Sequence, residues 1–211
     1  MEDLARPQPP VDLLAADEET ILFAPAHELA EWVEATFLDE SGLLHNWEHE
    51  HLQDATVAFL WTNTRNEKGG RRIVGTAEIP ASQGATRWVK ARLEYQLWNW
   101  FGELPDFLIT IDASYWAAIS DAAACALIEH ELYHCSFKVD RDGDPRTDPD
   151  GELIWSLKAH DVEEFIGVVR RYGPGAASGG VAALVEAAQH RPLFSAEEIA
   201  EACSGCGVCA R

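Results

Sequence analysis

Basic residues are scarce in this sequence. Its 211 residues include 16 Lys and Arg against 36 Asp and Glu, which gives a formal net charge of -20. A surface of this sign repels nucleic-acid phosphate, so direct nucleic-acid binding is disfavoured unless the fold gathers a local basic patch. The excess of carboxylates is interpreted first as a means of solubility and second as a dedicated acidic interface.

Long apolar runs are also missing. No stretch of about 18 apolar residues exists, and residues 1–6 lack the basic-then-apolar form of a secretory signal. The chain has five cysteines, and an odd number suits a reducing compartment better than a disulfide scaffold. These absences predict a cytoplasmic protein without a membrane segment. Eight Trp and eight Phe, by contrast, indicate a folded chain.

The most informative stretch is a predicted, largely apolar helix over residues 122–137, with Asp121 as its N-cap. It contains His130, Glu131 and His134 in the order His-Glu-x-x-His. Imidazoles four positions apart project from one helix face and can share a tetrahedral metal, while Glu131 leans towards the remaining ligand position. This arrangement is typical of a zinc-dependent hydrolase. Metal-bound water loses a proton near neutral pH, and the adjacent carboxylate takes that proton and passes it to the leaving amine.

A catalytic zinc usually keeps three protein ligands and one open position, so a third ligand is needed. A second amphipathic helix is predicted to begin near residue 158, and His160 at its start is the first choice. Asp161 or Glu164 could orient His160 as a hydrogen-bond partner. Glu164 is the alternative ligand, followed by Glu163. The competing interpretation of His160 is an exposed residue at a helix N-terminus.

These two segments resemble the phage metallopeptidase family, which is related in general plan to SprT-like proteases and other small zincins. The matching residues are 126–135, Ala-Leu-Ile-Glu-His-Glu-Leu-Tyr-His-Cys, then 160–165, with 171–173 closing the second helix. SprT-like proteins similarly take a third histidine from a helix start. The resemblance covers residues 26–173 and implies a zinc metallopeptidase acting on a protein or peptide. No complete four-cysteine zinc ribbon follows, so a SprT-like role on DNA-bound proteins is not implied.

The fold expected from this resemblance and from the hydrophobic pattern is α+β and zincin-like, with a small mixed or antiparallel sheet packed on the motif helix and additional helices. The predicted elements are a helix from Pro25, strands at 55–62 and 72–79 joined as a hairpin by the polar turn 63–70, a helix at 82–100 and a strand at 107–111. In zincin-like proteins a strand in this last place lines the cleft and pairs with extended substrate.

Three regions are predicted along the chain. Residues 1–20, rich in Pro and Ala, form a loosely held leader; residues 21–173 form the zincin-like domain; residues 174–211 form a helical extension. The extension ends in a tail with Cys203, Cys206 and Cys209, which could hold a soft metal but is one ligand short of a tetrahedral site. The alternative is a disordered thiol tail.

Several other residues are candidates whose roles sequence position alone leaves open. Tyr115, Tyr133 and Tyr172 are candidates for stabilising an oxyanion or supporting the metal ligands. The closely spaced histidines within residues 45–51 are predicted to be loop or surface residues. The acidic stretch 138–152 resembles a calcium loop but lacks the Gly and Glu that an EF-hand requires, so an acidic surface loop is predicted.

A second function from a different class stays open at this stage. The chain could be a non-catalytic acidic binding protein, phage-borne, that engages a basic host protein or mimics nucleic-acid charge, with a structural metal or none. A stoichiometric zinc with an exchangeable water would favour the enzyme. The sequence does not indicate an oligomeric state.

Overall fold

A mixed four-stranded sheet forms the centre of the protein in the computed structural model, which describes residues 6–17, 19–80, 86–162, 174, 180–195 and 199. Its strand order is β1-β2-β6-β5, in which β2 and β6 run parallel and the two outer strands run antiparallel to their neighbours. The strands are β1 Phe23–Pro25, β2 Val57–Thr62, β3 Asn66–Lys68, β4 Arg71–Ile73, β5 Gly75–Glu78, β6 Phe107–Asp112, β7 Cys135–Phe137 and β8 Trp155–Leu157.

Helices cover both faces of this sheet. They are α1 Val11–Ala15, α2 His27–Val33, α3 Arg87–Phe101, α4 Ala113–Ala118, α5 Asp121–His134 and α6 Val181–Ala187, together with a π-helical turn Glu34–Leu38 and a 3-10 helix Trp47–Asp54. Alternate residues of β2 and β6 point to opposite faces. Phe59 and Ile109 pack in the main core with α2, α4 and α5, whereas Leu60 and Leu108 pack against Leu97 of α3.

The predicted α+β class is confirmed, and the central strands show why. Both β2 and β6 are almost continuous apolar runs, as expected of strands that are buried on both faces. Helix α3 ends at Gly102, whose φ of 78° is the left-handed conformation that closes helices. Within the described residues, no helix is both long enough and apolar enough to cross a membrane.

The predicted hairpin between residues 55–62 and 72–79 is wrong. Strand β6 lies between β2 and β5, and it pairs parallel with the first and antiparallel with the second. The polar segment instead makes its own small hairpin of β3 and β4, turning at Gly69 and Gly70, which both have positive φ. Alternation of apolar residues predicts that a strand exists, but its partner depends on contacts distant in sequence.

The leader prediction is also wrong for the part of residues 1–20 that the structure describes. Arg6 forms an ion pair with Asp121 and donates hydrogen bonds to the backbone carbonyls of Trp116 and Ile119. Leu13 of α1 is 4% exposed and belongs to the main core. Despite its proline-rich composition, this segment therefore packs on the start of α5.

An exposed acidic ribbon joins β7 to β8. Residues 138–152 are solvent-exposed throughout, as predicted, and make two successive tight turns. The side chain of Asp140 accepts backbone N–H bonds at the first turn and that of Asp148 at the second. Strand β7 directly follows α5, and β8 lies three residues before His160. The base of this ribbon therefore lies next to both parts of the predicted metal site, the motif helix and His160.

Candidate metal centre

Helix α5 is the structural base of the predicted site. It begins after Ser120, whose hydroxyl accepts the N–H of Ala123, so Ser120 is the N-cap in place of the predicted Asp121. Its apolar residues, including Ile128 and Leu132, are fully buried against the sheet. The helix ends at His134, three residues earlier than predicted, because residues 135–137 adopt the extended backbone that pairs with β8.

Three imidazoles converge at the C-terminal end of α5. The Nε2 atom of His130 lies 3.3 Å from Nε2 of His134 and 3.4 Å from Nε2 of His160. One nitrogen from each of the three residues lies within 4.8 Å of the others. Tetrahedral zinc with bonds of 2.0–2.1 Å separates two ligand nitrogens by about 3.3–3.4 Å. The distances from Nε2 of His130 to the other two Nε2 atoms therefore match the spacing that a zinc ion would need.

The hydrogen bonding and burial of the histidines suit metal binding. The Nδ1 atom of His134 lies 2.7 Å from the backbone carbonyl oxygen of Lys158, so Nδ1 carries the proton and the lone pair of Nε2 faces the cluster. Burial, together with the nearby His134 and His160, lowers the pKa of His130 to about 4. Since a metal binds the neutral imidazole, both effects favour the form of the side chain that coordinates.

Glu131 lies deeply buried beside the cluster. Its side chain is 1% exposed, and its Oε1 atom has no hydrogen-bond partner among the described residues. Burial raises the pKa of Glu131 to about 7, although the backbone N–H of Ala77 in β5 hydrogen-bonds to the carboxylate and opposes this rise. A buried carboxylate oxygen without a partner is costly, and a metal with its water would supply the missing charge and donor.

Gly75 makes room for this carboxylate. A Cβ atom at position 75 would lie 2.6 Å from Oε1 of Glu131 and 3.1 Å from its carboxyl carbon, so any side chain at this position would displace the carboxylate from its place against β5. Sequence analysis did not identify Gly75. No local pattern marks it, because its role depends on the packing of α5 across an edge strand that lies more than fifty residues earlier.

The third histidine occupies the predicted place but not the predicted element. Residues 158–162 are not helical, and His160 lies on an irregular segment that follows β8. The rest of the expected helix, with Glu164 and Tyr172, lies outside the described residues, as do Cys203, Cys206 and Cys209. The Asp161 carboxylate forms an ion pair with the ammonium of Lys158 at 2.9 Å.

Two predicted tyrosines have partners of their own. The Tyr133 hydroxyl donates to a carboxylate oxygen of Glu48 and accepts a bond from the side-chain amide of Asn46. The ring of Tyr115 lies under the guanidinium of Arg72, 5.8 Å from its centroid. These contacts direct the Tyr133 hydroxyl towards the 3-10 helix and the Tyr115 ring towards β4.

The prediction that the histidines within residues 45–51 are loop or surface residues is wrong for His49. Its side chain is 1% exposed and packs on the ring of Tyr133 at a centroid distance of 4.6 Å. Burial, and to a smaller extent His51, lower its pKa to about 4. Within the described residues, His130, His134 and His160 are the group assembled closely enough to bind a metal, and His49 is not part of it.

Strand β6 does not have the role expected for the strand before the motif helix. It pairs with β2 on one side and β5 on the other, so it has no open edge for a substrate. The strand at the sheet edge beside Glu131 is β5, which contacts α5 directly.

Of three comparisons with known proteins, one found a match. A family model described as "putative phage metallopeptidase" matches residues 30–189, well over half of the chain, and the matched span contains all three histidines and Glu131. Searches of curated proteins and of solved structures found no match. Metallopeptidases use a bound metal, and the three-histidine group is a place for one. The chain therefore belongs to the phage metallopeptidase family.

Proposed function

We propose that the protein is a zinc-dependent peptidase of the His-Glu-x-x-His type, zincin-like in plan, that hydrolyses peptide bonds in a protein or peptide substrate. His130, His134 and His160 hold the zinc, and Glu131 is the catalytic base. The observation that carries the proposal is the convergence of three imidazole nitrogens, at tetrahedral spacing, beside a buried carboxylate oxygen that has no partner among the described residues.

The donor set supports zinc in particular. Magnesium and calcium prefer oxygen ligands, whereas three neutral imidazoles suit zinc and related transition metals. Three protein ligands leave the fourth position of a tetrahedral ion open, which is how catalytic zinc sites differ from structural ones. A structural site would need a fourth protein donor, and the described residues bring no Cys, Asp or Glu into the group.

Zinc, when bound, supplies a Lewis acid that lowers the pKa of a water to about 7 and polarises the scissile carbonyl. A cation held by the three histidines would oppose the rise that burial causes in the pKa of Glu131 and would favour the ionised carboxylate that a base requires. Its Oε1 then accepts the proton of the attacking water. The same proton passes to the nitrogen of the leaving amine, which returns Glu131 to its ionised form.

The substrate lies along β5 in this proposal. Among the described residues this strand pairs with β6 alone, which leaves its other edge available for an extended peptide to add to the sheet. The backbone N–H of Ala77 in this strand hydrogen-bonds to the Glu131 carboxylate, and the absence of a side chain at Gly75 leaves room for its Oε1. A peptide on this edge would place its carbonyls beside the base.

Glu131→Gln is the decisive test, with Glu129→Gln as its matched control. Glu129 lies on the same helix two residues earlier, and its carboxylate accepts a bond from Asn46. We expect Glu131→Gln to lower the cleavage rate by about 100- to 10,000-fold and to keep one zinc per chain. Glu129→Gln should cleave normally. Proteomic identification of cleavage products and metal analysis of untagged protein provide the two readouts.

If the Glu131→Gln variant still cleaves its substrate at the wild-type rate, Glu131 is not the catalytic base. Wild-type protein that contains no stoichiometric zinc and yields no cleavage products would instead favour the non-catalytic acidic binding protein.

A further inference from the structure

Of the three proposed metal ligands, only His160 lies outside a helix. His130 and His134 are fixed by the repeat of α5, whereas residues 158–162 form neither helix nor strand, and His160 itself is exposed. The groups of a binding site must be held to within about 0.5 Å of their working positions. The contacts of this short segment therefore decide where the third imidazole lies.

The main chain of Lys158 attaches the start of the segment to α5. Its N–H donates to the carbonyl oxygen of His134 at 2.9 Å, and its carbonyl oxygen lies 2.7 Å from Nδ1 of the same histidine. A residue of any type other than proline could make this pair of contacts. They fix the chain at position 158 and leave the direction of the next three residues to other interactions.

The side chain of Lys158 supplies one of these interactions. Its ammonium lies 2.9 Å from the carboxylate of Asp161, so the ion pair closes the turn that presents His160. The same ammonium lies over the ring of Tyr133, 5.9 Å from the centroid. That ring packs on His49, and its hydroxyl is hydrogen-bonded to the 3-10 helix. Lys158 therefore joins the turn of residues 158–161 to a well-packed part of α5.

A glycine lies against the other end of this turn. Gly180, which precedes α6, has a φ of 109°, and a Cβ atom there would lie 2.8 Å from the carbonyl oxygen of Asp161 and 3.2 Å from Cγ2 of Val162. A side chain at position 180 would therefore displace the main chain just after His160. The next residue, Val181, is 4% exposed, so the start of α6 is itself held by packing.

We propose that Lys158 and Gly180 are positioning residues for the third metal ligand. Lys158 holds the turn of residues 158–161 against α5, and Gly180 allows the start of α6 to lie directly against the far end of the turn. Neither residue touches the metal, and each acts through His160. The inference rests on the proposed function, because it takes His160 as a ligand of the zinc.

Lys158→Met tests the first contact, with Lys90→Met as its matched control. Lys90 is also exposed and also forms an ion pair, 3.6 Å from Glu94, but it lies on α3. The side chains of Lys158 and Asp161 are 44% and 75% exposed, so each contact of the ammonium is weak. Chelator competition should show zinc binding about three- to tenfold weaker in Lys158→Met and unchanged in Lys90→Met. Lys158→Arg keeps the cation and should bind zinc like the wild type.

Gly180→Ala tests the second contact, with Gly143→Ala as its matched control. Gly143 has a φ of 92°, and apart from its chain neighbours no described atom lies within 4 Å of an added Cβ, so the control has the backbone strain without the close contact. Because the main chain after His160 must move, Gly180→Ala should bind zinc at least about tenfold more weakly. Gly143→Ala should bind zinc normally.

Cobalt in place of zinc provides a spectroscopic readout. The visible absorption of tetrahedral cobalt weakens when a histidine ligand is lost and water raises the coordination number. Lys158→Met and Gly180→Ala should show this weakening, whereas a change in stability alone would leave the spectrum of the folded protein as it is. Circular dichroism checks that each variant is folded, and the Lys158 variants decide the outcome if Gly180→Ala is not.

Proton NMR tests the positioning without a metal. The ring centroids of His130 and His160 lie 5.2 Å apart, so chelated wild-type protein should show nuclear Overhauser effects between the two imidazoles. Lys90→Met and Gly143→Ala should keep these effects. Lys158→Met and Gly180→Ala should weaken or lose them.

The outcomes separate this inference from the proposed function. Normal zinc affinity, normal cobalt spectra and intact ring contacts in Lys158→Met and Gly180→Ala would overturn the inference and leave the peptidase standing. A wild-type chain that binds no zinc, but whose ring contacts are lost in both variants, would exclude the peptidase and keep the positioning roles. A loss in Lys158→Arg as large as in Lys158→Met would overturn the role of the Lys158 cation.

Discussion

Replacing Glu131 by Gln should stabilise the protein when the metal has been removed. The carboxylate is 1% exposed, and burial raises its pKa from 4.5 to about 7. Above pH 7 the folded, metal-free chain therefore holds a charge that the unfolded chain would solvate freely. Gln has the same shape and carries no charge, and its carbonyl can still accept the N–H of Ala77.

The size and the pH dependence of this effect follow from the same pKa. A folded-state pKa raised from 4.5 to about 7 corresponds to about 3 kcal/mol of lost stability when the carboxyl ionises. The folded protein binds this proton more tightly than the unfolded one, so the contribution is fully present below pH 4.5 and is lost as the pH rises through about 7. The amide has one donor group without a partner, which costs about 1 kcal/mol.

We therefore expect metal-free Glu131→Gln to be about 2 kcal/mol more stable than metal-free wild type at pH 8, and to lose this advantage at pH 5. Urea unfolding of the two chelator-treated proteins at both pH values measures the difference in their free energies of unfolding. Groups that titrate in both proteins contribute equally and cancel in this difference. Zinc should abolish or reverse the advantage, since it stabilises the ionised carboxylate. A variant that is less stable at pH 8, or whose advantage does not change with pH, would refute the reasoning.

Three further predictions concern the same centre. Gly75→Ala places a methyl group 2.6 Å from the Glu131 carboxylate, so cleavage should fall at least about tenfold while zinc stoichiometry is kept, and the exposed neighbour Thr76→Ala should cleave normally. His160→Ala should weaken zinc binding by more than about 100-fold in a chelator competition, with the exposed His190→Ala unchanged. Zinc added to wild-type protein that has been stripped of metal by a chelator should raise its melting temperature, and an unchanged melting temperature would indicate that the protein has no zinc site.

The motif helix was predictable because its information is local. The positions of His130, Glu131 and His134 relative to one another follow from the helical repeat alone, and the alanine-rich run before them makes the helix stable. His160 was predicted from the order of two motifs and the need for a third ligand. Its convergence with the other two is consistent with that prediction, although the element that carries it was not the expected one.

What sequence analysis missed depends on contacts between distant segments. The place of β6 between β2 and β5, the burial of His49 under Tyr133 and the packing of Arg6 on the start of α5 all join residues tens of positions apart. Gly75 belongs to the same class, since its requirement arises from a carboxylate on another element. The composition of a segment indicates which secondary structure it can form, but not which distant segment it packs against.

The acidic ribbon between β7 and β8 would give a bound metal a second role, as a cross-link. His134 precedes the ribbon and His160 follows it, so an ion held by both would cross-link the two ends of residues 135–159 as a disulfide bond closes a loop. Opening the base of the ribbon would then require a coordinate bond to break. Hydrogen exchange at the amides of β7 and β8 should slow when zinc binds and quicken when it is withdrawn, so the protection of this strand pair would report the occupancy of the centre.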